Sequence, residues 1–262
     1  FRWTGNCFET ATSHMQTVVP NSMKNLFDIF KNKRVRHLHA NLKPGERIDK
    51  LFVDFILSTV EEKEFKYLKS KREFKRKTYF FEHHINWRGR KYNEGNRSVQ
   101  FDISINVSST KYRKWETEFY NLEQNLGTGI DGTRVDYIEG WEKDYYEHGW
   151  YDLVKFDNVD LMEKINENIK NAGFNFFEHY QSLDLAITEL KKFPIKNLEF
   201  IIDFYLIQDK WQDAYDFFES NKHWHEQQEK SEGSNPKSQY SMNRRKPFEL
   251  RKEKLKNWAQ HR

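Results

Sequence analysis

Ser98-Val-Gln-Phe-Asp-Ile-Ser-Ile-Asn-Val-Ser108 decides the fold of this chain. Apolar Val99, Phe101, Ile103, Ile105 and Val107 alternate without a break with polar Ser98, Gln100, Asp102, Ser104, Asn106 and Ser108. A period of two sends one set to each face of a strand, so the segment predicts a half-buried strand in a sheet with one polar face. Upstream, Thr78 to Trp87 is aromatic-rich and reads as a second strand. Gly89 and the Asn93-Glu94-Gly95-Asn96 turn then join the two as an antiparallel hairpin.

Helical spacing flanks this hairpin on both sides. Ile48, Leu51, Phe52, Phe55, Ile56 and Val60 recur at three- and four-residue steps after Pro44-Gly45, predicting an amphipathic helix to about Lys69 that lies on the sheet. Tyr112, Trp115, Glu116, Phe119 and Tyr120 predict a helix after the hairpin. Gly127 to Gly149, with Trp141, Tyr145 and Tyr146, reads as a long aromatic connection, and Trp150 to Phe156 as a short closing strand.

The second half is helical. Asp157 or Asn158 caps a helix carrying Leu161, Met162, Ile165 and Ile169, with Gly173 expected as its left-handed terminator. Ser182 caps Leu183 to Phe193, and Pro194 punctuates. Leu198 to Leu206 and Trp211 to Phe218 make a helical hairpin across Gln208-Asp209-Lys210, with only one copy and therefore no solenoid. The expected class is α+β: an antiparallel sheet covered on one face by helices, then a C-terminal helical segment with an αα-hairpin.

The 262 residues include 22 Phe, 13 Tyr and 8 Trp, enough ring area for a large core beneath a surface in which 32% of residues are charged. The single cysteine, Cys7, excludes an internal disulfide framework and a cysteine zinc cluster, and a reducing, cytoplasmic compartment is the simplest reading. No apolar run is long enough for a membrane span. Residues 1–22 lack amphipathic period and read as a vector-derived or disordered tail, whereas Leu26, Phe27 and Phe30 share a helical face after Met23. The expected divisions are thus 1–22, an α+β domain 23–193, a helical hairpin appendage 194–225, and a basic, partly disordered tail 226–262.

One family resemblance emerges from the order of these segments. The run Phe65-Lys-Tyr-Leu-Lys-Ser-Lys-Arg-Glu-Phe-Lys-Arg-Lys-Thr-Tyr-Phe-Phe81, the hairpin, Gly149-Trp-Tyr-Asp-Leu153, and Asn171-Ala-Gly-Phe-Asn-Phe-Phe-Glu-His-Tyr-Gln-Ser-Leu-Asp-Leu-Ala-Ile187 together resemble the bacterial family named domain of unknown function 4304, over about 47–190. Phe74-Lys75-Arg76-Lys77 is similar to the family's G-F-K-K-K-G stretch but lacks its glycines. The family has no established catalytic residues, so the resemblance carries none to this chain.

Two constellations invite a functional reading. Glu82, His83 and His84 on one strand and Asp102 on its partner form a polar site that could hold a metal or move protons, although adjacent histidines on a strand face opposite ways and only one can join it. Trp141, Tyr145, Tyr146 and Trp150 are the rings expected to anchor a protein partner. His223 and His225 flank Trp224 and suit a metal only if extended; solvated imidazoles are the default. Lys63 to Lys77 holds eight Lys or Arg, and Lys237 to Arg262 holds nine against two Glu, +7 where the whole chain carries +4, leaving −3 elsewhere. Such stretches could grip nucleic acid, with Arg244, Arg245, Lys246, Arg251, Lys252, Lys254 and Lys256 near Trp258. No G-x-S-x-G, phosphate loop or dinucleotide fingerprint is present. The expectation is a non-catalytic macromolecule-binding protein without a cofactor, of the kind of bacterial immunity proteins that neutralise a partner by surface complementarity. The alternative is nucleic-acid binding or metal-assisted nucleic-acid processing.

Overall fold

In the computed structural model, residues 35–95, 97–122, 128–232 and 239–261 are described, with side chains left aside at 224–247. The 1–22 segment, Cys7 and the Leu26 to Phe30 helix fall outside the described residues. Arg36–Arg262 forms one compact unit.

The alternating segment is strand β4, Gln100–Ser108, and it organises the sheet. Strands β1 Lys66–Leu68, β2 Glu73–Lys77, β3 Glu82–Gly89, β4 and β5 Gly129–Arg134 follow one another in space, every pair antiparallel. A short β6, Tyr151–Asp152, extends the β5 side of β4 by pairing at Gln100 and Phe101. The register sets Phe74 opposite Ile85, Ile85 opposite Ile105, Trp87 opposite Ile103 and His83 opposite Val107. One face of the sheet is therefore dry: Phe74, Ile85, Trp87, Phe101, Ile103, Ile105 and Val107 are all buried.

Helices roof that face because their own apolar stripes need the same cover. Helix α1, Pro44–Phe55, begins on a proline whose missing N–H costs nothing there, and Phe52 stacks on Trp87 with centroids 4.2 Å apart. The Trp87 indole donates to Asp49 at 2.8 Å. The α1 pattern continues only through a separate turn, α2 Leu57–Glu61, and the chain then turns into β1, so the predicted helix to about Lys69 is cut short. Phe65 leaves the helix to pack on Phe174 and Phe177 instead. The strand expected from Thr78 starts at Glu82, since Thr78 and Phe81 close a turn. Helix α3, Thr110–Tyr120, is capped by Ser109.

The expected connection from Gly127 to Gly149 contains β5, so the sheet has one more strand than the aromatic composition suggested. Helix α4, Asn158–Asn168, is capped by Asp157, which also binds Arg36. The helix does not stop at Gly173. Residues Ile169–Gly173 form a π-helical turn leading into α5, Phe174–Glu178, and Gly173 has a helical φ of −64°. Its lack of a side chain serves packing instead: a Cβ there would lie 3.1 Å from Ile105 Cδ1, against the sheet.

Helices α6 Leu183–Leu190, α7 Pro194–Ile207, α8 Trp211–Glu232 and α9 Gln239–Gln260 complete the chain. Of the basic tail expected over 226–262, Gln239–Gln260 forms α9, whose Phe248 and Leu255 are buried with Leu198, Ile202, Ala214 and Phe218. Arg251 is 0% exposed and binds Asp203 of α7 through Nε at 2.9 Å and Glu116 of α3 through Nη2 at 2.8 Å. The Tyr112 and Tyr120 hydroxyls each donate to Asp203 at 2.7 Å. Burial, then the Asp203 charge, pushes both phenols far above their ordinary range, so they remain donors. The hairpin of α7 and α8 is thus tied to α3 and α9, not appended.

Truncating one member of a buried ionic cluster strands the others. Arg251→Ala should cost about 3–5 kcal/mol in denaturant unfolding, whereas Lys256→Ala, exposed on the same helix, should change stability by less than about 0.5 kcal/mol.

Candidate functional site

The opposite face of the sheet is polar, and its rows follow from the same register. Glu73 faces Asn86, Asn86 faces Ser104 and Ser104 faces Arg134; Lys75 faces His84, His84 faces Asn106 and Asn106 faces Gly132; Lys77 faces Glu82 and Glu82 faces Ser108. Asn106 leans over Gly132, where a Cβ would fall 2.2 Å from its Oδ1, so the glycine makes room for the amide. That amide donates to Asn86 Oδ1 at 2.9 Å.

His84 sits at the centre. Its Nδ1 lies 3.2 Å from Glu73 Oε2, and its Nε2 lies 2.8 Å from Ser108 Oγ. An ionised carboxylate can only accept, so Nδ1 carries the proton, and Nε2 of the neutral ring then accepts from the Ser108 hydroxyl. Burial lowers the His84 pKa, with Lys75 adding to the effect and Glu73 and Glu82 opposing it. Glu73 is itself buried, held by Asn86 Nδ2 at 2.9 Å, and its Oε1 has no partner. On the far side of Ser108, Glu82 Oε2 is 3.4 Å from the hydroxyl and takes a bond from Lys75 Nζ at 2.8 Å. Burial raises the Glu82 pKa, but Lys75 and Lys77 outweigh it and hold the carboxyl below its usual range.

The four residues of the expected polar site separate. Glu82 and His84 share the cluster through Ser108. His83 points into the core, fully buried, stacked on Phe177 at 4.6 Å. Its Nδ1 accepts from Arg76 at 3.0 Å and its Nε2 meets the Tyr180 carbonyl at 3.2 Å. Burial, then Arg76, lowers its pKa to about 4. Asp102 lies four residues along β4 from Asn106, opposite Arg88, to which it is paired at 2.9 Å. Sequence reading missed Glu73 and Ser108. Ser108 closes the polar alternation and was visible there, whereas Glu73 joins only through the pairing of β2 with β3.

Around the cluster, cations stand proud of sunken carboxylates. The side chains of Arg88 and Lys77 are 77% and 71% exposed, while those of Glu73, Glu82 and Asp102 are 8–9% exposed. Lys71, Arg72, Arg88 and Arg134 line an open cleft of about 440 Å³ with Asn86 and Ser104 at its base.

Of the four expected aromatic anchors, Trp141 is corrected. Trp141 is 5% exposed and donates to the Tyr151 hydroxyl at 3.0 Å, so it is a core residue. Tyr145 is half-buried against Phe156, and Tyr146 packs on Tyr151 with its hydroxyl accepting from Arg134 at 2.8 Å. Trp150 is half-buried beneath Arg90. Each of the four rings thus has a neighbour within the fold. Among the described residues, Tyr79, Tyr92, Tyr137 and Phe193 are exposed rings.

A groove of about 1020 Å³ lies between β5 and α5 to α7, and neither His84 nor Ser108 lines it. Its polar groups already engage one another: Asp131 accepts from Tyr180 at 2.6 Å, and Glu189 is bridged by Lys192 at 2.7 Å. Among the described residues, no three His, Cys, Asp or Glu side chains converge as metal ligands. His223 is exposed on α8, and the His225 side chain lies outside the described residues. No described helix is long and apolar enough to cross a membrane. Comparison with protein-family models, curated proteins and solved structures finds no match to this chain.

His83 makes stability depend on pH. Between its unfolded value of 6.5 and its folded value of about 4, the unfolded state binds the proton and the folded state does not. Its contribution is complete above the unfolded value and is lost as pH falls toward the folded one; His84, shifted the same way, adds to the slope. Urea midpoints measured across this range should fall with pH, and His83→Gln should fall less steeply than the parent. Parallel curves would contradict the assignment.

Proposed function

We propose that this is a macromolecule-binding protein that holds an acidic protein partner on the polar face of its sheet, as bacterial immunity proteins neutralise a partner by surface complementarity. The observation that carries this reading is the vertical order of charge: exposed Lys77 and Arg88 above Glu82 and Asp102, whose carboxylates are sunk in the polar face, with Arg134 beside them on β5. An approaching partner meets cations first, which steers encounter and sets orientation more than it adds affinity. Each exposed ion pair contributes only about 0–1 kcal/mol, so several must act together. The likeness over about 47–190 to the domain of unknown function 4304 family belongs to the same proposal and names no chemistry of its own.

The nucleic-acid alternative loses part of its support. Arg251, counted among the tail cations, is wholly buried in an ionic cluster and cannot reach a phosphate. The metal-assisted version has no convergent ligand set among the described residues.

Quantitative affinity capture from host lysate, comparing the parent with Lys77→Glu/Arg88→Glu, checks the reading. Protein capture should drop by at least about tenfold in the variant and weaken with added salt. Capture that ignores the charge reversal, or retention of nucleic acid alone, would contradict it. Trp141→Ala should instead lower stability, by about 3–5 kcal/mol, because the ring is core.

A further inference from the structure

We propose that Glu73, His84 and Ser108 form a relay for nucleophilic catalysis, with Ser108 Oγ as the attacking oxygen and carboxylic esters as the substrate class. This goes beyond partner capture, which rests on the cationic rim and needs none of these three side chains.

The three residues come from β2, β3 and β4 and run diagonally across the polar face, each one strand over and two residues along from the last. Their order and atoms are those a relay needs: hydroxyl to Nε2 at 2.8 Å, Nδ1 to carboxylate at 3.2 Å. The carboxylate is buried and oriented by Asn86, so it holds the ring in the tautomer that leaves Nε2 free to take a proton. Burial keeps the imidazole neutral, which a general base requires.

Ser108 also occupies a break in regular structure. Pairing of β4 with β5 shifts register between Val107 and Ser108. Two residues later α3 begins, and Ser109 caps it by accepting from the Tyr112 N–H at 3.0 Å. The Thr110 and Lys111 N–H groups of that first turn have no acceptor within the helix and carry its positive end, close in the chain to the attacking oxygen. Thr110, whose hydroxyl donates to Glu82 Oε1 at 3.3 Å, also lines a cleft of about 360 Å³ beside the same turn. Glu82 is the competing neighbour of the Ser108 hydroxyl, at 3.4 Å, but Lys75 and Lys77 occupy its charge.

In the reaction, Ser108 Oγ bonds to the ester carbonyl carbon while its proton passes to His84 Nε2 and the carbonyl π pair moves onto oxygen. Collapse of the adduct breaks the C–O bond to the leaving alcohol, which takes the proton from Nε2. Water then attacks the acyl-serine, gives a proton to Nε2, and collapse releases the carboxylic acid with the proton returned to Ser108. Ester and water are the only reactants. Ser108 and His84 are catalytic residues in this scheme, and Glu73 is a positioning residue.

The test is labelling of the full chain with a fluorophosphonate, followed by intact mass and peptide mapping, together with release of p-nitrophenol from p-nitrophenyl acetate. The parent should gain one adduct, on Ser108. Ser108→Ala should abolish both signals while unfolding at the parent's temperature and retaining partner capture. His84→Gln should slow labelling by about 10² or more. Glu73→Gln should move the pH at which labelling falls toward acid, since the Glu73 carboxylate favours the His84 proton while Lys75 opposes it and Glu82 supports it. No adduct on Ser108 in the folded parent, or labelling indifferent to His84→Gln, would overturn the proposal. That result would leave the capture reading untouched, because the charge-reversal variant alone tests it.

Discussion

The structure depends on the pairing of β4 on both of its edges. Held by β3 along one side and by β5 and β6 along the other, this strand must present Phe101, Ile103, Ile105 and Val107 to the helices and Asp102, Ser104, Asn106 and Ser108 to the opposite face. Each buried apolar side chain of this size stabilises the fold by about 1.5–3 kcal/mol. A slip of one residue would put all of them in water and drive the polar set into the core. The polar side tightens the same constraint, since Asn106 bonds to Asn86 only in this register and fits over Gly132 only because that position has no side chain. Both faces therefore select one alignment.

A second constraint joins the helical layer to this sheet. Arg251 enters the interior from α9 and is satisfied by Asp203, Glu116 and the Tyr112 hydroxyl, while its guanidinium lies 4.9 Å over the Tyr120 ring. Desolvating such groups is costly, and an apolar cluster of the same volume could be as stable. The ionic version differs in being satisfied by one docking position of α9 against α3 and α7. The C-terminal helix, weakly amphipathic on its own, thereby acquires a defined place.

What could be read from the residues follows the range of the forces involved. The β4 alternation, the Asp157 and Ser182 caps and the break at Pro194 are local, and the elements they mark are present. Gly173 misled because a glycine after a helix usually marks a left-handed end, whereas here the distant Ile105 demands the missing side chain. Within the 226–262 stretch, Arg251 misled because charge density gave no sign of its partners on α3 and α7. The relay was invisible as a motif for the same reason: Glu73, His84 and Ser108 are brought together by strand pairing, and no local spacing encodes it. Conversely, Trp141 was taken for an exposed anchor because its glycine-rich surroundings carry no sign of the Tyr151 hydroxyl that receives its N–H.

The register of β3 against β4 underlies the dry core, the sunken carboxylates and the His84 cluster alike. Nuclear Overhauser effects between directly opposed backbone protons read that register without reference to any activity. The account predicts cross-strand contacts linking His84 with Asn106 and Asn86 with Ser104. Contacts linking His84 instead with Ile105 or Val107, the signature of a one-residue slip, would contradict it.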